Sequence, residues 1–303
     1  MKRKLIIFIA LVVCVVSLVG CGNTKDKNSK GEITIGSKTF TESLVLGSVM
    51  VQYLEDLGYT VNDETGLGET AIIRTALTSG EIDGYFEYTG TGLMQFMEHE
   101  PVFDAEEAYN LVSEWDKDND ITWLPYSSAN NTYVMVATPE LAEKYKLKNV
   151  SDLAKAYNDG NSITLVTAAE SYERPDMMPR LMEVYDFNVP NEDRLNLELG
   201  LFYEAMKNGK AEVTTGFATD GIIERDGYVP LEDDKNAFAV YSIAPVFRTE
   251  VLEKYPDLEA EIAKLTDIIT NESVMSLNSK VDIDKMSVEE AAKDFLVENG
   301  LIK

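Results

Sequence analysis

The sequence predicts an α/β fold in two lobes. Several segments alternate apolar and polar residues, as strands do, and each is followed by a segment with apolar residues at helical spacing. Strands and helices in alternation are typical of a parallel sheet with helices on its faces. About 270 residues follow the amino-terminal leader, which is enough for two lobes of ordinary size. We therefore expect ligands at the strand ends of two α/β sheets.

The leader has the pattern of an export signal. A basic start, MKRK, precedes an apolar run that ends at Val19 and is shorter than the roughly 20 residues that span a bilayer. The letters LVGC, ending at Cys21, match the lipobox of bacterial lipoproteins. We expect residues 1–20 to be a signal peptide, Cys21 to be lipidated and residues 21–31 to be a flexible tether. The protein would then sit on the extracytoplasmic face of the cell membrane.

The first elements follow in regular order. Strand patterns over residues 32–40 and 59–66 are separated by a helical pattern that ends at Gly58. A second helical pattern ends at Gly80. The stretch DGYFEYTGTG, residues 83–92, follows at the next strand end. Its rings, threonines and glycines would therefore lie where ligands of such sheets bind.

The later elements repeat the same pattern. A helix is predicted over residues 105–120 and a strand over 132–138. Strand, loop and helix recur over residues 162–185 and 211–227, and residues 236–265 are predicted to end the ordered pattern with one strand and two helices.

The last predicted strand, in FAVYSIAP, would return the chain to the first sheet. We therefore expect lobe one to comprise residues 32–130 and 238–303, and lobe two residues 131–237. The chain would then cross between the lobes twice.

Composition excludes several classes of function. A formal net charge of −26 argues against nucleic acid as a partner, because phosphate binding needs clustered Lys and Arg. Cys14 lies in the signal and Cys21 is the lipid site, so the mature chain has no cysteine for a disulfide, nucleophile or metal site. His99 is the one histidine. We expect no cofactor, no metal and no catalytic residues, and we expect the protein not to be an enzyme.

Five motifs in chain order resemble the extracytoplasmic substrate-binding proteins of quaternary-amine importers. They are GSKTFTES, GEIDGYFEYTGTG, YERPDMMPRL, FATDG and APVFR. The resemblance covers nearly all of the mature chain and implies a type II periplasmic-binding-protein fold that closes over its ligand by a hinge. It also implies capture of glycine betaine, carnitine, choline and analogues, and their delivery to the permease and ATPase of an ABC importer. We expect the protein to act as a monomer.

The resemblance also assigns a ligand site. A trimethylammonium group cannot donate an N–H bond, and aromatic faces attract such a cation while burying its methyl groups. Tyr88, Tyr133 and Tyr241 fall at the family's cage positions. Phe217 lies where the family often has tyrosine, and it keeps the ring without the hydroxyl.

The polar end of the ligand would be held by other residues. Lys38, Thr91 and Arg174 match the family's carboxylate-contacting positions, and their ammonium, hydroxyl and guanidinium groups suit a carboxylate. Asn131 would offer its backbone carbonyl to the ammonium methyl groups.

Three alternatives remain open from the residues. The same fold could bind an amino acid or a polyamine, whose N–H groups would normally be met by carboxylate and carbonyl acceptors. A surface-anchored hydrolase could use a pair of the 53 acidic residues, although nothing singles two of them out. An adhesion protein would share the lipid anchor and would lack saturable binding of a small molecule.

Overall fold

The computed structural model describes residues 29–174 and 176–303, so the predicted signal peptide and Cys21 lie outside the described residues. The strands are β1 Glu32–Gly36, β2 Thr60–Glu64, β3 Gly84–Tyr88, β4 Ile121–Trp123, β5 Tyr133–Ala137, β6 Leu165–Thr167, β7 Arg194–Asn196, β8 Val213–Phe217, β9 Val229–Leu231 and β10 Ile243–Arg248. The longer helices are α1 Thr41–Asp56, α2 Thr70–Ser79, α3 Ala105–Asp116, α4 Pro139–Tyr145, α5 Val150–Asn158, α6 Met178–Tyr185, α7 Phe202–Lys207, α8 Gly221–Asp226, α9 Thr249–Lys254, α10 Leu258–Thr266, α11 Asn271–Asp282 and α12 Val288–Glu298. In the described ranges, no helix combines the length and apolar character needed to cross a membrane.

The strands form two five-stranded sheets, each part parallel and part antiparallel. The first has the order β2-β1-β3-β10-β4, with β1 parallel to β2 and β3, and β10 antiparallel to β3 and β4. The second has the order β7-β6-β8-β5-β9, with β6 parallel to β7 and β8, and β5 antiparallel to β8 and β9. The alternation of strands and helices thus predicted the parallel part of each sheet.

The chain passes between the two sheets twice, at residues 124–132 and 232–242. These crossing segments lie side by side, because the backbone N–H of Asn131 donates a 3.1 Å hydrogen bond to the carbonyl of Tyr241. The predicted lobe boundaries lie within these segments and stay a prediction.

The first sheet packs helices on both faces. In β3, Phe86 and Tyr88 are buried in a core with α1, α11 and α12, whereas Tyr85 belongs to the core with α2 and α3. This opposition follows from the twofold alternation of side chains along a strand. Tyr88, on the first of these faces, also lines the cavity described below.

Two predictions about the end of the chain are wrong. The predicted strand at FAVYSIAP begins only at Ile243, and Phe238 and Val240 are buried within a crossing segment outside the strand. The ordered pattern continues past residue 265 with α11 and α12. Only Val274, Leu277 and Asn278 of α11 are buried. With so few buried positions, the sequence NESVMSLNSKVD has no clear apolar repeat at helical spacing, and the helix was not predicted.

Candidate functional site

The ends of strands from both sheets surround one cavity of about 220 Å³, here called the cage cavity. Its lining residues are Lys38, Phe40, Thr70, Tyr88, Thr91, Asn131, Tyr133, Phe217 and Tyr241. All the predicted contact residues except Arg174 are among them. The structure therefore brings together residues from both sheets and from both crossing segments.

Aromatic rings form much of this lining. Tyr133 and Phe217 are paired residues of β5 and β8, and their ring centroids lie 5.0 Å apart with an interplanar angle of 30°. From the other sheet, the ring of Tyr88 lies 6.0 Å from that of Phe40. The Phe40 residue is 40% exposed, so one ring lies at the open side of the cavity. The arrangement offers π-faces from two sides to a group between the sheets.

A glycine lets Tyr241 approach the turn after β3. A Cβ atom at Gly90 would lie 2.6 Å from the carbonyl oxygen of Val240 and 2.7 Å from the Tyr241 ring. Since such contacts are too short for real carbon atoms, only glycine fits here without displacing Tyr241. The TGTG turn thus serves to place Thr91 and Tyr241 around one cavity.

Lys38 is held by a buried ion pair. Its Nζ lies 2.5 Å from Oε1 of Glu87 and 4.9 Å from the Tyr88 ring centroid. Glu87 also accepts hydrogen bonds from the Tyr85 hydroxyl and the Tyr88 backbone N–H, both at 2.8 Å. The Lys38 ammonium therefore lines the cage cavity with most of its charge already matched by Glu87.

Arg174 lies outside the cavity lining, next to Tyr133. Its guanidinium carbon is 5.9 Å from the Tyr133 ring centroid, and its side chain is 40% exposed. Two hydrogen bonds, of 3.1 and 2.7 Å, join it to Asp176. The bond to Asp176 raises the pKa of Arg174 and lowers the pKa of Asp176. In this structure the Arg174 guanidinium is therefore paired with Asp176 and does not line the cage cavity.

Glu42, in the first turn of α1, is a buried carboxylate next to the cage. It accepts hydrogen bonds from the Tyr88 hydroxyl at 2.7 Å, from the Asn131 amide at 3.1 Å and from the Asn278 amide at 3.2 Å. Burial raises the pKa of Glu42, while hydrogen bonds from Thr219, Tyr88, Asn278 and Asn131 act in the opposite direction. The salt bridges found within the described ranges do not include Glu42, so a negative charge here would be unmatched by a cation.

Sequence reasoning missed Phe40, Thr70 and Glu42. Phe40 and Glu42 stand in the quoted motif GSKTFTES, whose position after β1 was a signal that could have found them. Thr70 begins α2, where free backbone N–H groups and the helix dipole favour a negative group. Among residues 29–174 and 176–303, His, Cys, Asp and Glu form no cluster suited to a metal ion.

Comparison with known proteins gives consistent results. Residues 31–298 match the family described as the substrate binding domain of ABC-type glycine betaine transport systems. A glycine-betaine-binding protein of Pseudomonas aeruginosa is 32% identical over 89% of this chain and 88% of its own length. The carnitine transport binding protein OpuCC of Listeria monocytogenes is 31% identical over 94% of this chain and 91% of its own. The structure of apo YehZ from Escherichia coli superposes with a TM-score of 0.84 at 29% identity, over 89% of this chain and 99% of that one.

Proposed function

This chain belongs to the family of substrate-binding domains of ABC-type glycine betaine transport systems, and on that premise we propose that it captures quaternary-ammonium compatible solutes for an ABC importer. Its two mixed sheets, joined by two crossing segments, form the two-lobed fold of periplasmic binding proteins. Its ligands are glycine betaine, carnitine, choline and analogues. The observation that carries the proposal is the cage cavity, with rings from both sheets around it.

The chemistry of the cage suits a trimethylammonium group. Tyr88, Tyr133, Phe217 and Tyr241 present aromatic faces, each of which attracts a cation by about 0.5–2 kcal/mol and buries methyl groups at the same time. Such a cation has no N–H to donate, so leaving water for an aromatic cavity costs it less than it costs an ammonium that donates hydrogen bonds. The backbone carbonyl of Asn131 would add a partial negative charge near the methyl groups.

The carboxylate of glycine betaine or carnitine would bind at the Thr91 side of the cage. The hydroxyls of Thr91 and Thr70, and the first turn of α2, offer donors there. Lys38 would contribute one of its remaining N–H donors without leaving Glu87. Arg174 would join only when the ligand is bound, at the rim.

The cellular setting rests on the leader and on the family. We propose lipidation at Cys21, which would anchor a monomer to the extracytoplasmic face of the membrane beside the permease and ATPase. We also propose that the protein binds its ligand without turnover. Globomycin, which blocks lipoprotein signal cleavage, should cause the precursor to accumulate, whereas unaffected processing would contradict the anchor.

Calorimetric titration of the mature domain tests the proposed function. The panel comprises glycine betaine, carnitine and choline, with spermidine and proline for the alternative ligand classes. We expect saturable one-to-one binding of at least one quaternary ammonium, and weaker binding of spermidine and proline. Binding of only spermidine or proline would reassign the ligand class, and no binding at all would favour adhesion.

Thr91→Asp is expected to shift preference toward choline. The new carboxylate would repel that of glycine betaine by roughly a kcal/mol or more, whereas the hydroxyl of choline could donate to it. Competition titrations should therefore show the choline to glycine betaine affinity ratio rising by about fivefold or more. Thr91→Asn, which has a similar shape without the charge, is the matched control. If the ratio is unchanged in Thr91→Asp, Thr91 does not contact the polar end of the ligand.

Glu42→Gln is expected to flatten the pH dependence of binding. Because the pKa of Glu42 is raised, its carboxylate is protonated more readily as the pH falls. A bound cation favours the ionised form of Glu42. The affinity of the wild type for a cationic ligand should therefore rise as the pH rises through this pKa. Glu42→Gln should hold affinity near the low-pH level, a few-fold below wild type at neutral pH. Titration calorimetry of both proteins from acidic to neutral pH measures this. Parallel profiles would show that Glu42 is not coupled to the ligand.

A further inference from the structure

A second cavity adjoins the cage. Its volume is about 380 Å³. Phe40, Asn131 and Phe217 line both cavities, so these three side chains lie between them. We call this second cavity the annex. It extends away from the cage toward α11, the start of α1 and the loop after β8.

The annex is lined by hydrogen-bond acceptors. The carboxylates of Glu42, Asp220 and Asp282 belong to its lining, and the lining residues include no Lys or Arg. Asp220 already accepts from the backbone N–H of Phe217 at 2.9 Å and from the Tyr203 hydroxyl at 2.7 Å, and Asp282 accepts from the Thr41 hydroxyl at 2.6 Å. Asp220 and Asp282 have acceptor capacity beyond these bonds.

Two residues that line the annex each have an amide oxygen that lacks a donor. Asn278 is 7% exposed, and its Nδ2 donates to the Thr219 carbonyl at 2.9 Å and to Glu42 at 3.2 Å. Asn131 likewise donates to Glu42. In both residues the buried Oδ1 has no hydrogen-bond partner within the described chain. Buried acceptors are nearly always satisfied in native proteins, so these two oxygens indicate a missing donor.

The acidic character of the annex is the reverse of what a carboxylate needs. The residues that line only the cage include two hydroxyls and an ammonium, from Thr70, Thr91 and Lys38, whereas the residues that line only the annex include two carboxylates besides that of Glu42. For a ligand whose ammonium occupies the cage, the annex therefore favours a cationic arm over an anionic one.

We propose that the annex is a subsite for a cationic N–H group tethered to the caged ammonium. The ligands would be trimethylammonium compounds with an amine or guanidine on the arm. This inference rests on the proposed function, because the cage must hold the quaternary end, and it widens the ligand class beyond compatible solutes with a carboxylate or hydroxyl. The ammonium or guanidinium donates to the carboxylates of the annex, and it would also donate to Asn278 Oδ1 once the side chains that cover this oxygen shift.

The test compares two ligands that differ only in the donor. The pairs are (aminoalkyl)trimethylammonium ions, with two or three methylene groups, and the alkyltrimethylammonium ions in which a methyl group replaces the amine. Calorimetry with the wild type should give at least one pair in which the amine binds roughly tenfold tighter. Glycine betaine is titrated in parallel.

Two variants locate the preference. Asp282→Asn keeps an oxygen for Thr41 while removing the charge, and Asn278→Leu removes the unpaired oxygen. Each should reduce the preference of the amine over its alkyl counterpart by about threefold or more, and this ratio cancels any general loss of affinity. Asp284→Asn is the matched control, since Asp284 is exposed, as Asp282 is, and lies just beyond α11 without lining the annex.

The outcomes separate the two proposals. Glycine betaine binding with equal affinity for amine and alkyl ligands would overturn the annex and leave the proposed function intact. If the wild type binds none of these ligands, both the annex proposal and the proposed function are overturned. A preference that persists in both annex variants, or that Asp284→Asn removes equally, would also overturn the annex. Stronger glycine betaine binding in methylammonium chloride would assign the annex to a separate cation and overturn the tethered form.

Discussion

Replacing Tyr133 and Tyr241 together by alanine is expected to weaken glycine betaine binding by roughly 30-fold or more, since each ring contributes about 1 kcal/mol to holding the cation. Both residues line the cage cavity, and both are only partly buried. Their loss therefore opens the cage with less damage to the cores than the loss of Tyr88, which is 4% exposed and bonded to Glu42. Titration calorimetry with glycine betaine measures the effect.

The matched control for this pair replaces both tyrosines by phenylalanine. The rings remain, as Phe217 already illustrates at one cage position, so affinity should stay within about threefold of the wild type. Urea unfolding of each variant should show that the folded state is retained. A double alanine variant that binds as tightly as the wild type would show that these two rings do not hold the ligand.

Lys38→Met is expected to destabilise the fold by about 3–5 kcal/mol, because it leaves the Glu87 carboxylate buried without its cation. The side chains of Lys38 and Glu87 are 3% and 0% exposed. Adding Glu87→Gln removes the stranded charge and should restore most of the lost stability. Urea unfolding of the two variants and the wild type measures the free energies of unfolding.

The double variant also separates two roles of Lys38. If the fold is restored and glycine betaine affinity stays low, Lys38 contacts the ligand directly. If both are restored, Lys38 acts mainly by neutralising Glu87. A Lys38→Met variant as stable as the wild type would contradict the buried pair.

Local periodicity predicted the fold where strands and helices alternate. β1, α1, β2 and α2 each appear in the expected order, and Gly80 ends α2 in a left-handed conformation with φ of 80°. The apolar pattern failed around Phe238 and Val240, which are buried because a crossing segment passes between other elements. α11 was missed because polar residues dominate its sequence.

The candidate site was predicted to a similar extent. The family resemblance placed the tyrosines and Thr91 in one predicted site, and in the structure they line the same cavity. Glu42 could not be placed in the same way, since its role depends on Tyr88, Asn131 and Asn278, which come from distant parts of the chain. The pairing of Lys38 with Glu87 likewise appears only when β1 and β3 lie side by side.

The most direct test of the central claim compares glycine betaine with tert-butylacetate. The two ligands have nearly the same shape and the same carboxylate, but a carbon atom replaces the charged nitrogen. If the aromatic rings act through their attraction for a cation, the protein should bind glycine betaine at least roughly 30-fold more tightly than tert-butylacetate. Calorimetric titration of the wild-type domain gives both affinities. Equal affinities would contradict the cage, because burial of the methyl groups alone would then account for binding.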